Sequence, residues 1–383
     1  MKLFLTGVTG FLGGELAVLL SKSRHVERIY CLVREYGGAE PTSRLRQVFD
    51  LHGDAFDTSK VIPVFGDLKD DHLASKLLAD KRLEEVDTVI HSAADTSFAP
   101  GSGRSVFKVN VRGTNQILHW AKSLPNLETF VYVGTASICG ADLAGNHLYE
   151  DQSPRKEARH LVRYSYTKML GEMHVLRAIP KEKLLIVRPS IIMGDSRDRR
   201  PRSYVILWAL AALNAIRLIP TSPESNLDVI PIDYAARAIA RLLFVKRRWT
   251  TYHISAGNAS VTNLQKMLAA LAGPPNGHPP VKFVTRDLLS QMKKWPKRLK
   301  GPSELLGFPE YLDYWHTQFN GTLRIIMAGL EPYFQFIELD QTFDNTRLLA
   351  DTGMSAPVPP HEYLLRTGKY LDDINLAEGA LDP

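Results

Sequence analysis

Along the first half of the chain, short and uniformly apolar runs alternate with longer stretches in which apolar residues recur every three to four positions. The runs at 3–8, 29–33, 61–65, 86–91 and 130–134 are rich in Val, Ile and Phe and are bounded by Gly or Asp. That is the pattern of strands buried on both faces. Between them, 12–22, 43–51, 73–79 and 106–123 carry helical spacing, and a helix at 160–177 followed by a strand at 184–188 continues the series. The alternation predicts parallel β-α-β units and a doubly wound α/β core of Rossmann type that ends near Met193. Beyond Gly194 the character changes. Arg197-Asp198-Arg199-Arg200-Pro201-Arg202 is a basic, proline-broken loop leading into an apolar helix at 204–216. An amphipathic helix at 233–245 and a strand at 251–255 come next, then a Gly/Pro-rich linker at 273–280, a basic stretch at 293–298 and an aromatic region at 308–336. The expected layout is a nucleotide-binding domain at 1–193, rejoined by 229–256, and a smaller C-terminal substrate-binding cap drawn mainly from 194–383.

Composition narrows the class. With 44% hydrophobic and 23% charged residues the 383-residue chain is ordinary globular protein, one large domain or two closely packed ones. The net charge of +6 comes from scattered Lys and Arg, which gives no indication of nucleic-acid binding and suits anionic small ligands. Cys31 and Cys139 are too few for a disulfide framework, and the dispersed histidines offer no metal-ligand spacing, so no metal is expected. The apolar N-terminus is interrupted by Gly7, Gly10 and Glu15 before a signal-peptide core forms. The longest apolar stretch, 204–219, contains Asn214 and Arg217 and falls short of the roughly 20 residues of a membrane span. A soluble cytoplasmic protein is the expectation.

The first strand runs into Thr6-Gly7-Val8-Thr9-Gly10-Phe11-Leu12-Gly13, which opens the next helix. In that setting Gly7 allows a tight turn, Gly10 lets backbone approach a pyrophosphate and Gly13 permits close helix–sheet packing, while the helix N-terminus offers N–H donors. A tight turn chosen for packing would use the same glycines, and the position at the first strand–helix junction favours a dinucleotide-binding loop. A carboxylate ending the second strand would bind the ribose hydroxyl of NAD, and an arginine there accepts the 2′-phosphate of NADP. The strand ends on Arg34, with Arg44 on the following helix, so NADP(H) is favoured over NAD(H).

Tyr164-Ser165-Tyr166-Thr167-Lys168 sets Tyr164 and Lys168 one helical turn apart on one face. Carbonyl reduction needs a proton donor for the developing alkoxide. A tyrosine has a pKa of about 10, and a lysine ammonium one turn away is expected to lower it. A hydroxyl at the end of the fifth strand, Thr135 or Ser137, would polarise the carbonyl.

With Gly66-Asp67-Leu68, His91-Ser92-Ala93-Ala94, Asn110-Val111-Arg112-Gly113-Thr114, Arg188-Pro189-Ser190 and Val229-Ile230-Pro231-Ile232-Asp233-Tyr234, these motifs resemble the extended short-chain dehydrogenase/reductase superfamily. Ile29-Tyr30-Cys31-Leu32-Val33-Arg34, Arg44-Leu45 and His52-Gly53-Asp54 resemble its thioester-reductase and fatty acyl-CoA reductase (male-sterility) branch. The resemblance implies that Thr135 is the catalytic hydroxyl beside Tyr164 and Lys168, with Asn110 in support. It implies cofactor contacts from Gly7, Thr9, Gly10, Phe11, Leu12 and Gly13, from Asp67 and Leu68 at the adenine, and from Ala93 and Ala94 at the nicotinamide. Tyr164, Lys168, Pro189, Ser190 and Ile191 complete that set. Asp95 is a candidate substrate contact, and Cys139 stands where the family commonly has tyrosine. The implied reaction is NADPH-dependent reduction of an acyl thioester, bound to coenzyme A or a carrier protein, to an aldehyde. The same superfamily holds ketone or hydroxysteroid-type reductases, nucleotide-sugar epimerases and dehydratases, and non-catalytic NADP sensors. An acyl tunnel between 204–216 and 308–336, and contact of the arginines at 197–202 with substrate phosphates, are further expectations.

Overall fold

Seven parallel strands form the central sheet: β1 (Lys2–Thr6), β2 (Arg28–Val33), β3 (Val61–Phe65), β4 (Thr88–His91), β5 (Thr129–Val133), β6 (Leu184–Pro189) and β7 (Thr251–Ile254). Their order across the sheet is β7-β6-β5-β4-β1-β2-β3. In this computed structural model residues 1–35, 37–98, 101–198, 205–271, 278–288, 309–319 and 321–381 are described. Both faces are covered, so the strands are apolar throughout: Leu3, Phe4 and Leu5 on β1 and Phe130, Val131 and Tyr132 on β5 are all fully buried. Pro63, which lacks the N–H of a ladder residue, is tolerated because β3 is an edge strand.

The covering helices are α1 (Phe11–Ser21), α2 (Pro41–His52), α3 (Leu73–Ala79), α4 (Gly103–Phe107), α5 (Thr114–Ala121) and α6 (Arg163–Ala178). The stretch read as one helix at 106–123 is broken into α4, a wide π-type turn at Lys108–Gly113, and α5. Such turns insert a residue and reorient side chains. α7 (Val205–Ile216) follows β6, and α8 (Ile232–Phe244) returns to lie against α1 before β7 adds itself beside β6.

The C-terminal elements build a second apolar cluster. α7, α9 (Leu264–Leu271), α10 (Pro309–Phe319), α11 (Leu323–Ile337) and α12 (Pro360–Thr367) bury Trp208, Tyr311, Phe334 and Tyr363 among one another. The buried indole N–H groups find carbonyls, Trp208 Nε1 at Leu376 O (2.8 Å) and Trp315 Nε1 at Ile216 O (2.7 Å). The segments expected to line an acyl tunnel are thus packed against each other as the core of the cap. Residues 204 and 308, the linker at 273–277 and the basic stretch at 293–298 lie outside the described residues. Among the described residues no helix is long and apolar enough to cross a membrane.

Candidate active site

All strands of the sheet point the same way, so their carboxyl ends share one edge. The sheet order reverses at β1, which pairs with β2 on one side and β4 on the other. A crevice at such a reversal is where open α/β sheets bind ligands. To this edge the fold brings the loop 7–13 after β1, Arg34 after β2, Asp67 and Leu68 after β3, Ala93 and Ala94 after β4, Thr135 after β5, and Ser190 and Ile191 after Pro189 of β6.

The glycine loop is closed by contacts that leave no room for side chains. Gly7 has φ +80°, and a Cβ there would sit 2.8 Å from the backbone of Ala93. A Cβ on Gly13 would come 2.1 Å from the Gly7 carbonyl oxygen. Gly10 starts α1 with no side-chain cap, so the first-turn amides of the helix have no side-chain acceptor. This donor set fits a dinucleotide pyrophosphate. At the end of β2, Arg44 Nη1 donates to the Arg34 carbonyl (2.6 Å), which holds the two arginines together. Asp67 turns one carboxylate oxygen back to the Lys69 amide (2.8 Å), and Leu68 is buried.

On α6, Tyr164 and Lys168 do share a face. Thr135 is buried, caps a short helical turn through the Ser137 amide (3.3 Å), and lies beside the Tyr164 phenol. Burial pushes that phenol up to about 12, while the Thr135 hydroxyl pulls the other way. Lys168 is buried as well, and its Nζ donates to the Val133 carbonyl (2.5 Å). Burial draws its ammonium down to about 7, opposed by the Glu172 carboxylate. The expectation that Lys168 lowers the tyrosine is therefore not met in this state, because desolvation dominates and the ammonium is turned onto backbone. A phenol held protonated is the form that donates a proton in a reduction.

Three residues that the sequence reading left without a role shape this site. Tyr132 on β5 places its ring 4.4 Å from Lys168 Nζ and donates its hydroxyl to the Lys168 carbonyl (3.1 Å). Glu172, fully buried, forms an ion pair with Arg188 (2.6 Å) and faces Lys168. His91 links the ends of β1 and β4 to the π-type turn. The Ala93 amide donates to Thr6 Oγ1 (3.1 Å), which lies 2.9 Å from His91 Nδ1. His91 Nε2 lies 2.9 Å from Thr114 Oγ1, whose own proton goes to the Asn110 carbonyl (2.7 Å). Only one tautomer satisfies this chain, with the proton on Nε2 and Nδ1 accepting from Thr6. Burial lowers His91 to about 3, which keeps it neutral.

Asn110, expected as a catalytic residue, touches neither Tyr164 nor Lys168 through a side-chain hydrogen bond. Its Nδ2 donates to the Asp95 carbonyl (2.9 Å) and to Thr167 Oγ1 (3.0 Å), and its Oδ1 accepts from the Asp95 amide (2.7 Å). It positions the turn after β4 against α6. Asp95 is occupied too, accepting from Ser105 Oγ (2.7 Å) and the Ser97 amide (3.2 Å). Arg197 pairs with Asp195 (2.7 Å) and with Glu15 on α1 (2.8 Å). Arg199, Arg200 and Arg202 lie outside the described residues.

A Tyr132→Leu substitution removes the π face over Lys168. With a buried cation–π contact near 2 kcal/mol and about 1.4 kcal/mol per pH unit, the alkaline limb of kcat is expected to move about one unit lower. Tyr132→Phe should keep the limb in place. Reduced kcat with an unmoved limb would mean that Tyr132 is only packing.

The sequence profile of the male sterility protein family, an NAD-binding family, matches residues 5–239, which includes the glycine loop, Thr135, Tyr164 and Lys168. The chain belongs to the male sterility protein family. It is accordingly a nicotinamide-dependent oxidoreductase of the extended short-chain type. Among curated proteins it is similar to mouse (Mus musculus) fatty acyl-CoA reductase 2, 28% identical over 310 residues that cover 70% of this chain. The chain spans 60% of that relative's length. Among solved structures it resembles the terminal R domain from the myxalamid PKS-NRPS biosynthetic pathway, with TM-score 0.73, 22% identity and 97% and 90% of the two chains covered. It also resembles a thiolation-reductase di-domain from an archaeal non-ribosomal peptide synthetase, with TM-score 0.70, 22% identity and 97% and 75% covered. At that identity the two structures speak for the male-sterility fold.

Proposed function

We propose that this member of the family reduces an acyl thioester, carried on coenzyme A or a carrier protein, to an aldehyde with NADPH. The observation that carries the reading is the convergence of Thr135, Tyr164 and Lys168 at the carboxyl edge of the sheet, next to the uncapped start of α1. NADPH, when bound, supplies a hydride to the thioester carbonyl carbon. Tyr164 gives its phenolic proton to the carbonyl oxygen, and Thr135 orients the same oxygen with its hydroxyl. The Lys168 ammonium, one helical turn from Tyr164 on the same face of α6, offsets the charge of the phenolate left behind. The resulting hemithioacetal loses its C–S bond, and the hydroxyl proton leaves with the thiol to give the aldehyde. The cytoplasm, where thiols such as the buried Cys31 and Cys139 stay reduced, is the compartment this reading favours.

Arg34 and Arg44 support the choice of NADPH. Arg34→Ala is expected to raise the KM for NADPH roughly tenfold or more and to leave that for NADH nearly unchanged, since a hydrogen bond to a charged group contributes about 1.5–3 kcal/mol. Equal effects on both cofactors would remove the basis for NADPH specificity. The reaction itself is tested by following NADPH oxidation with acyl-CoAs, ketones and nucleotide sugars. Turnover confined to ketones or sugars would overturn the thioester assignment.

A further inference from the structure

The second turn of α1 carries a buried charge that the reaction above does not use. Glu15 follows Gly13 and Gly14 on the helix that begins at the glycine loop, and its side chain is only 6% exposed. An ionised carboxylate taken out of water needs cationic or hydrogen-bonding partners, and each of its oxygens has one. Oε2 lies 3.2 Å from Nε2 of His52, the last residue of α2. The other ring nitrogen of His52, Nδ1, donates to the Val48 carbonyl one turn back (2.7 Å), which fixes the ring on α2. Oε1 pairs with Nη2 of Arg197 at 2.8 Å. Arg197 belongs to neither helix. It lies in the segment that leaves β6 and leads towards α7 of the cap, just past Gly194, whose φ of +69° turns the chain. That segment is pinned at a second point, where the Ser196 amide (2.9 Å) and hydroxyl (2.7 Å) donate to the Asp233 carboxylate on α8. Three elements thus meet at one carboxylate. One is α1, whose first-turn amides fit the cofactor pyrophosphate, and another is α2, whose first turn carries Arg44. The third is the segment that hands the chain from the sheet to the cap. Packing alone would not call for a charge there, since Leu16, Ala17 and Leu20 of the same helix are buried and apolar.

We propose that Glu15 is a positioning residue that ties the segment 194–198 to the two cofactor-holding helices, so that a bound dinucleotide steadies the way into the cap. A dinucleotide that engages the start of α1 and Arg44 fixes both helices, and the carboxylate passes that order on to Arg197. This role belongs to any nicotinamide-dependent reaction at the site and is independent of which carbonyl is reduced.

The test needs no turnover. Amide hydrogen exchange is followed by mass spectrometry in the full chain, with and without saturating NADP+, in the peptide that contains Ser196 and Arg197. Both of these amides are donated to carboxylates, of Asp233 and Asp195, and so report on the segment. NADP+ is expected to slow their exchange about tenfold or more in the wild type, the scale of one hydrogen bond to a charged group. In Glu15→Gln and in Arg197→Met the ratio with and without NADP+ should fall towards one. The double variant should be no worse than either single one, because both changes break the same contact. Arg197→Lys, which keeps the charge, should recover part of the ratio. Calorimetry confirms that each variant is saturated, and the series is repeated with NAD+, so that a wrong choice of dinucleotide is told apart from a wrong role for Glu15. Glu15→Gln keeps the shape of the side chain and Arg197→Met alters a half-exposed one, so the proposal does not depend on a variant that fails to fold. Wild-type protein that binds a dinucleotide without slower exchange in the segment overturns the proposal. So does a full protective effect in Glu15→Gln with only a lowered Tm, which would leave Glu15 a packing residue.

Discussion

Replacing Tyr164 with Phe is expected to lower kcat for carbonyl reduction by about 10²–10⁴-fold, the usual contribution of a positioned general acid. KM for substrate and NADPH should change little. The ring stays in contact with Phe98, so only the proton is lost. The phenol lies beside the Thr135 hydroxyl and is held protonated by burial. Lys168 would not substitute, because its ammonium donates to the Val133 carbonyl. The pH dependence checks the division of labour. The Lys168 ammonium, drawn down to about 7, is present below that pH and is lost above it, so wild-type kcat should decline as pH rises through about 7. The residual activity of Tyr164→Phe should be small at every pH. Full activity in this variant would remove Tyr164 from the mechanism.

The second large effect is on the fold. Glu172→Ala is expected to destabilise the protein by about 3–5 kcal/mol, the loss seen when one partner of a buried ion pair is removed. Arg188 is only 3% exposed and Glu172 not at all, and Arg188 directs both Nε and Nη2 at the carboxylate. Its remaining nitrogen, Nη1, donates to the Gln152 (3.0 Å) and Glu150 (3.3 Å) carbonyls, so without Glu172 the guanidinium is buried with carbonyls alone. A denaturant midpoint measures the change. Replacing both partners, as in Glu172→Ala/Arg188→Met, should recover part of the loss, because the uncompensated charge goes with the arginine. Activity should suffer separately, since Glu172 is the carboxylate that holds the Lys168 ammonium up. No change in the midpoint would mean that water already reaches the pair.

What was legible in the sequence was what local periodicity and short motifs encode. The strands and glycine loop were readable because buried parallel strands are continuously apolar and because Gly7 and Gly13 stand where a Cβ would strike backbone. Tyr164 and Lys168 could be paired because helical spacing alone puts them on one face. That spacing did not tell where the ammonium points, and it points at a carbonyl on β5. The π-type turn at Lys108–Gly113 was hidden because an inserted residue leaves the apolar pattern almost undisturbed. Tyr132 and His91 read as core strand residues, which they are. Their polar ends gain meaning only from partners on other elements, Lys168 for one and Thr6 and Thr114 for the other. Arg197 was legible as a charge, but its partner Glu15 belongs to the first helix, and nothing local joins them. Phe98 lies in an aperiodic turn, where side-chain pattern carries no signal.

The late return of the chain to the sheet governs how the protein can be cut. A fragment ending at Met193 would contain Tyr164, Lys168 and the glycine loop, yet it would lack the strand that pairs with β6 and the helix that covers α1. The open flank of β6 would offer its unpaired amides and carbonyls to any other chain, and the bared side of α1 would meet water. A minimal catalytic piece made that way should aggregate, whereas an insertion into a turn of the cap leaves the sheet whole.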